Sequence, residues 1–373
     1  FYNSKTTQGN PANPRNINGI HGSIRNGLTD RFSNENTITW RKTIKKNHKI
    51  TGLGLMALNS SNYFSHGYGG RLLPNENLGI DGIDEGIAYA PTSGRSRNTM
   101  ISYATRWDYS YKSKYLLTLN FRADGSSKFV NPWGYFPGAA VAWNMDREPF
   151  FKNAFPFISN SKLRASYGST GNNRVGDFDT YASLEQSLNG YSFNNEAPLG
   201  AIYVSAMGNT DLRWEKVNTL DFGYELGLFK NRINLELDVY RRTTDDLLLR
   251  ATLPPSTGFP NATKNIGKLQ NQGLEITLNT VNYKNKNFSW SSNFNIGFNR
   301  NMIMELADGE QSLPTSVTFD TNFNKPLYLA EVGKSAGMMM GFIWEGNYQY
   351  EHFNNPSEGL YVLKPDVPTN GAA

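Results

Sequence analysis

The stretch Tyr109–Phe129, "YSYKSKYLLTLNFRADGSSKF", places its oily residues at every second position. Tyr115, Leu117, Leu119, Phe121 and Ala123 share one parity, while Leu116, Thr118, Asn120, Arg122 and Asp124 share the other. A period of two marks a β-strand, whose successive side chains leave opposite faces. The oily face then meets either the dry core of a soluble sheet protein or lipid, and the fold turns on which.

The same alternation recurs along the chain. Ile101, Tyr103, Thr105, Trp107 and Tyr109 form one such row, and Leu220, Phe222, Tyr224, Leu226 and Leu228 another. Ile233 to Val239, Leu274 to Leu278 and Phe288 to Phe298 repeat it. Weaker strands read at Thr37–Ile44, His48–Leu58, Gly134–Met145, Lys162–Ser169 and Ala336–Tyr348. Pattern counting gives roughly ten or eleven strands.

Composition agrees with an all-β chain. Only 18% of the 373 residues are charged, 13% are aromatic, and Gly numbers 35. Long strands joined by polar loops suit that mixture better than helices do. The net charge of +5 is dilute, with both signs interspersed and no basic stripe, which argues against nucleic acid. Without cysteine there is no disulfide framework and no thiolate metal site. The longest apolar run, Met338–Trp344 "MMMGFIW", falls far short of the roughly 18 residues of a membrane-spanning helix. That leaves a membrane β-barrel open. The first residue is Phe1, and the chain stops at Gly371-Ala372-Ala373 in mid-loop composition, so both ends of the mature protein are expected to lie outside this sequence.

The connections differ in size. Short turns are expected at Lys45–Asn47, Tyr111–Lys114, Lys230–Asn231 and Tyr283–Asn287, with Asp146–Ser161 a longer member of that side. Long loops are expected at Ser60–Asn98, Asp124–Trp133, Thr170–Arg213, Thr243–Gln272 and Arg300–Lys334. One rim is trimmed and the other elaborated. No solenoid repeat and no linker divides residues 1–373.

A soluble β-sandwich also alternates oily and polar residues, but three features oppose it. Sandwich strands run about five or six residues, whereas these reach about ten, the length that crosses a bilayer when tilted. The oily faces carry no charge across their central span, while the other face holds Arg106, Asp108, Arg122, Asp221, Glu225, Glu236, Asp238 and Glu275. A lipid-facing Arg or Lys at mid-membrane would cost about 2–4 kcal/mol. Finally, Tyr109, Tyr111, Tyr115, Phe229, Tyr283 and Phe288 gather at the short turns, as an interfacial girdle does. The oily face meets lipid, and a sheet in hydrocarbon must close to satisfy its backbone. The expected fold is an all-β, transmembrane antiparallel β-barrel.

The opening stretch, followed by "WGYFPGAAVAWNMDREPFFKN" and "ISNSKLRASYGSTGNN", resembles the SusC/RagA family of TonB-linked outer-membrane proteins. The order continues through "LRWEKVNTLDFGYELGLFKNRINLELDVYRRTTDDLLL", "LPPSTGFPNATKNIGKLQNQGLEITLN", "FSWSSNFNIGFNRNMIMEL" and "GFIWEGNYQY". The resemblance runs from about Asn98 to Tyr350, and more loosely back to Thr37. It implies a 22-stranded TonB-dependent transporter barrel around a globular plug, covered by a SusD-like surface lipoprotein acting as a lid. It implies import of oligosaccharides or oligopeptides, energised by TonB with ExbB–ExbD. On this expectation residues 1–373 are a β-barrel wall segment with long extracellular loops, and the plug domain and TonB box are not present in the sequence. Outer-membrane lipid is the remaining partner. Two other readings stay open: a TonB-dependent siderophore or cobalamin receptor without a lid, and a non-transporting structural or adhesion β-barrel.

No catalytic, cofactor-binding or metal site is expected, and the ligand-binding residues are unknown from sequence. His21, His48, His66 and His352 are scattered. Asp81, Asp84 and Glu85 in "LGIDGIDEG", and Asp177 with Asp179, offer calcium-type oxygens, although solvated loop acids are the commoner outcome. Asp245 and Asp246 point to opposite faces if extended, unlike the paired acids of a glycosidase. "YGSTGNNRVG" has glycines but no Gly-Lys-Ser/Thr, so Gly168, Gly171, Asn172 and Asn173 read as turn residues. Asp124-Gly125-Ser126-Ser127 reads as a turn device on the long-loop rim. Trp214 reads as a packing or interfacial ring rather than as a sugar platform. Tyr181, Tyr191, Phe193 and Tyr203, among Asn, Ser and Gly, suit sugar or peptide contact and equally suit a long wet loop.

Overall fold

The computed structural model describes residues 2–7, 19–74, 76–192, 199–306, 309–314, 326–341, 343, 346–354 and 362–364. Two units are recognised, residues 1–313 with 331–336, and residues 314–330 with 337–373.

The first unit is a single antiparallel sheet in which sequence neighbours pair. Its strands are β1 (Tyr2–Thr7), β2 (His21–Ile44), β3 (His48–Arg71), β4 (Thr92–Tyr111), β5 (Tyr115–Ser126) and β6 (Trp133–Asn144). It continues through β7 (Ile158–Asn172), β8 (Glu215–Leu228), β9 (Ile233–Asp245), β10 (Lys268–Lys284) and β11 (Ser289–Glu305). The order runs from β1 to β11 without a crossover, and Ile87–Ala88 adds a short pairing at the end of β3. Among the described residues, β1 and β11 each keep one free edge.

Register turns the alternation into two surfaces. Residues opposite one another in an antiparallel pair share a face. One row therefore links Ile50, Tyr109, Leu117, Val141, Ala165, Phe222, Val239, Leu274 and Phe298 across β3 to β11. One residue along, a row on the opposite face links Thr51, Asp108, Thr118, Ala140, Ser166, Asp221, Tyr240, Gly273 and Asn299. The apolar row is not covered by protein: Phe222 is 54% exposed and Phe298 56%. An apolar face this continuous exceeds what a water-soluble monomer shows to solvent. Rings tile it, with Trp40 edge-on to Trp107, Phe121 stacked on Tyr135, and Tyr115 stacked on Trp143.

The strands are longer than the bilayer requires. β2 and β3 each have 24 residues and β4 has 20, against about 9–11 for a tilted crossing. On β4 the apolar parity stops at Ile101, and the same face continues with Thr99, Arg97 and Arg95. About half of the expected loop Ser60–Asn98 is therefore strand, continuing to Arg71 and resuming at Thr92. Apart from Phe64 and the tyrosines, both faces carry small or polar residues there, so the alternation that flags a strand is missing, while the ladder to the neighbouring strands still fixes the backbone.

The two rims differ as expected, with one exception. Short turns join β2 to β3 at 45–47, β4 to β5 at 112–114, β8 to β9 at 229–232 and β10 to β11 at 285–288. β6 reaches β7 through Met145–Arg147 and the helix Pro149–Ala154. Lys45, Lys46, Lys112, Ser113, Phe229, Lys230 and Asn231 take positive φ, the conformation that lets a tight hairpin follow the strand twist. At the other rim the connections 72–91, 173–214 and 246–267 are long, whereas 127–132 is brief because β5 continues through Asp124, Gly125 and Ser126. The turn expected at Asp124–Ser127 thus begins at Ser127, and Gly125 is extended beneath Ile101 and Trp133.

In the second unit Tyr328 and Leu329 pair with Met339 and Met338, and Phe353–Asn354 pairs with Val362–Leu363. Of the strand expected at Ala336–Tyr348, the described residues form only Met338–Met339. Phe342 and Trp344 lie outside the described residues.

Candidate functional site

The polar face carries a charge network centred on β7. Arg164 reaches across β8 to β9, donating to Glu236 at 2.7 Å and to Asp238 at 2.5 Å, and it also bonds Glu225 at 3.1 Å. Lys162 joins Glu225 at 3.0 Å. Gly223 permits the crossing. It sits opposite both Arg164 and Asp238, and a Cβ there would overlap the Arg164 side chain. Arg106 pairs with Asp108 at 3.0 Å, and Thr118 donates to Asp108 at 2.6 Å. Near the long-loop end Arg122 bonds Asp124 at 2.8 Å and Ser102 at 3.1 Å. A depression of about 660 Å³ opens beside Arg164, Asp221, Asp238, Arg242 and Glu275. Two grooves of about 500 and 400 Å³ lie at Leu220–Phe222–Val239 and at Tyr109–Leu117–Val141 on the oily face.

Above the membrane level, a dry cluster forms at the long-loop rim. Phe129, Phe136, Val175, Leu212 and Trp214 pack together, with Trp214 5% exposed and Phe136 3% exposed. The Trp214 indole donates to the Pro132 carbonyl at 2.8 Å. Trp214 is therefore a packing ring, within the packing-or-interfacial reading of its sequence context. Gly168 and Gly171 lie in β7 rather than in a turn, and a Cβ at Gly171 would run into the Phe136 ring. Asn172 likewise ends the strand, while Asn173 donates to Ser126 at 3.1 Å.

Polar bonds pin the loop above this cluster. Lys128 Nζ donates to the Val175 carbonyl at 2.8 Å and pairs with Asp177 at 3.5 Å. Asp177 also accepts from Ser96, and from Asn98 at 3.1 Å. Burial alone would raise the Asp177 pKa, but the Ser96 and Asn98 bonds and the Lys128 charge outweigh it and hold this carboxyl below its usual value. Further along, Arg213 pairs with Asp246 at 2.7 Å, and Asn265 caps the Arg213 backbone at 2.8 Å.

The remaining sequence candidates do not converge. His21 bonds the Gly19 carbonyl, His48 the Tyr109 hydroxyl, His66 Asn26, and His352 the Gln349 backbone. Asp81, Asp84 and Glu85 are spread along the segment Glu76–Glu85, with Asp81, Asp84 and Glu85 exposed. Asp179 accepts from the Gly176 N–H at 2.9 Å. Among the described residues no three His, Asp or Glu side chains group as metal ligands do. Asp245 bonds Lys268 and Asn218 while Asp246 serves Arg213, so the two acids work separately.

The loop between β7 and β8 contains a hairpin that alternation did not reveal, Ser183–Tyr191 paired with Leu199–Ala206. The β-branched and aromatic run Ile202-Tyr203-Val204 was the available signal. Leu184, Ile202 and Val204 are exposed on it, as are Tyr181 and Tyr203, and the Tyr203 hydroxyl donates to Glu185 at 3.1 Å. Phe193 and the Tyr191 side chain lie outside the described residues. A second hairpin, Leu248–Thr252 with Asn261–Asn265, stands in the β9–β10 loop.

An oily outer face, a charged inner face, short turns at one rim and folded loops at the other define the wall of an outer-membrane β-barrel. Residues 1–364 match the family model "TonB dependent receptor-like, beta-barrel". The chain belongs to that family. It is 35% identical to TonB-dependent receptor P39 of Formosa agariphila over 99% of this chain and 34% of that protein. It is 38% identical to TonB-dependent receptor SusC of Bacteroides thetaiotaomicron over 62% of this chain and 23% of that protein. The solved RagAB peptide importer in its "closed-closed" state shares the fold, with a TM-score of 0.74 and 23% identity over 90% of this chain and 36% of that one. The chain spans about a third of the length of the curated relatives it matches.

Proposed function

We propose that residues 1–373 are the wall segment, with its extracellular loops, of a TonB-energised importer of oligosaccharides or oligopeptides. A SusD-like surface lipoprotein would cover the long-loop rim, and a plug domain and TonB box would be supplied by sequence outside this segment. TonB with ExbB–ExbD would act through that part. The reading is of a transporter rather than an enzyme.

The observation that carries it is the union of two surfaces on one sheet. The charged inner row gives a solute a wet path beside Arg164 and Asp238, and the clamped outer loops give a lid or ligand a shaped platform above it. The exposed tyrosines of the β7–β8 loop offer flat faces, and its Asn and Ser side chains offer hydrogen bonds, which fits sugars and peptides alike. The names SusC and RagAB among the relatives support the same class.

The test is uptake of labelled oligosaccharide or oligopeptide by cells carrying the full-length protein, with and without ExbB–ExbD. Import that depends on the motor, together with an equimolar lipoprotein on purification in mild detergent, is the expected result. Motor-dependent uptake of an iron chelate without a lipoprotein would favour a lidless siderophore or cobalamin receptor. Absence of any uptake would favour an adhesion or structural barrel.

A further inference from the structure

Every short connection of the sheet carries exposed lysine. Lys45 and Lys46 lie between β2 and β3, Lys112 between β4 and β5, Lys152 between β6 and β7, Lys230 between β8 and β9, and Lys286 between β10 and β11. Backbone bonds join neighbouring turns into one rim, including Lys112 N–H to Asn47 O at 2.7 Å, Phe229 N–H to Phe157 O at 2.9 Å and Val281 N–H to Arg232 O at 2.7 Å. The acids of these connections are Asp146 and Glu148. Glu148 is occupied by Lys114 at 2.7 Å and Tyr115 at 2.8 Å, and Asp146 faces the Ser161 N–H at 3.4 Å. None of the six lysines is in a salt bridge among the described residues. The opposite rim mixes both signs, as in the pairs Lys128–Asp177 and Arg213–Asp246.

The lysines share their level with aromatic rings on the oily face. Tyr111 stacks on Tyr115, Phe157 on Phe229, and Tyr283 packs against Phe288. The Lys112 ammonium lies 5.3 Å from the Tyr111 ring centre. Amphipathic rings settle at the headgroup level of a bilayer, and a lysine beside them extends a four-carbon stem into the phosphate layer. Short turns face the periplasm in barrels of this kind.

We propose that this lysine rim is a docking surface for anionic phospholipid headgroups in the periplasmic leaflet of the outer membrane. The occupant is a lipid surface, because the cations ring the edge of the apolar band and are continuous with it. A basic residue near an anionic membrane gains about 1 kcal/mol, roughly fivefold in affinity. The inference rests on the membrane placement of the wall and is independent of what is transported, so a failed uptake assay leaves it standing.

The experiment uses the full-length protein in detergent, exposed to phosphatidylglycerol or phosphatidylethanolamine and read by native mass spectrometry. The tested variant combines Lys46→Asn, Lys112→Asn, Lys230→Asn and Lys286→Asn, since Asn tolerates the positive φ that Lys46, Lys112 and Lys230 adopt. Affinity for phosphatidylglycerol at each altered turn should fall by about fivefold, with phosphatidylethanolamine unchanged. The matching Lys→Arg variant should retain lipid like the parent, which separates charge from folding. Arg250→Gln, on the opposite rim, should change nothing. Unchanged phosphatidylglycerol retention, or an equal loss of both lipids, would overturn the proposal. Loss of a co-purifying periplasmic protein with lipid retention intact would also overturn it and assign the rim to that protein.

Discussion

Phe136 and Phe222 are both aromatic strand residues, yet one is 3% exposed and the other 54%. Phe222 belongs to the apolar row on the lipid side, whereas Phe136 lies on the opposite face, in register with Arg122. In the membrane-crossing part the apolar side chains point out of the barrel wall. At the long-loop rim they point into a dry cluster with Trp214. The strands are continuous between the two regions, so secondary structure does not decide the direction. The local solvent does: lipid accepts apolar surface below, and above the membrane only other protein can.

The largest effect should come from emptying the rim cluster. Trp214→Ala removes a ring packed against Phe129 and Phe136 and frees the Pro132 carbonyl. Such truncations cost about 3–5 kcal/mol. The expected outcome is fast amide exchange in residues 127–132 and 173–182 in a protein that still inserts in membranes. If exchange there stayed slow, the rim would not be a cooperative core and the contrast with the wall would fail.

Phe222→Arg attacks the other region. A charge on the lipid face should cost about 2–4 kcal/mol at mid-membrane, read from urea titration of folding into lipid vesicles. Its partner experiment is Asn299→Arg on the polar face, expected within about 0.5 kcal/mol of the parent. Equal losses would mean that both faces meet the same solvent. A smaller effect, about 1–3 kcal/mol of overpacking, is expected for Gly171→Ala, because the new methyl must displace the Phe136 ring. That loss should shrink in a Phe136→Leu background, a double-mutant cycle that tests the contact directly.

The membrane-crossing part was legible in sequence because two solvents imposed opposite preferences on alternate residues, as at Leu117 and Thr118. Strand 101–109 announced itself for that reason, and the short turns followed. Residues 60–71 and 92–98 did not, since small and polar residues occupy both parities and the buried one there holds Ser65, Gly67 and Gly69 rather than apolar side chains. The charge network was legible only as a polar parity. That Arg164 reaches two strands away depends on register and on the missing Cβ of Gly223, neither of which periodicity encodes. Trp214 was recognisable only as a packing or interfacial ring, and its partners come from two connections and a strand brought together by the sheet.

The subtlest test concerns how the rim is fastened rather than what fills it. Asp177 holds residues 173–182 through Ser96, Asn98 and Lys128, and its carboxyl is held below the usual value of about 3.9. A group with a lowered folded pKa contributes stability that is complete above its unfolded pKa and is lost as pH falls through the folded value. Exchange of this loop, corrected for intrinsic chemistry, should therefore be flat from neutral pH to about 4 and rise only below it. Asp177→Asn should loosen the loop at neutral pH and remove the acid-dependent rise. The Trp214 cluster beneath, apolar and uncharged, should keep its protection through the same range. A rise already present well above that pH, or one that survives in Asp177→Asn, would assign the fastening to another titrating group.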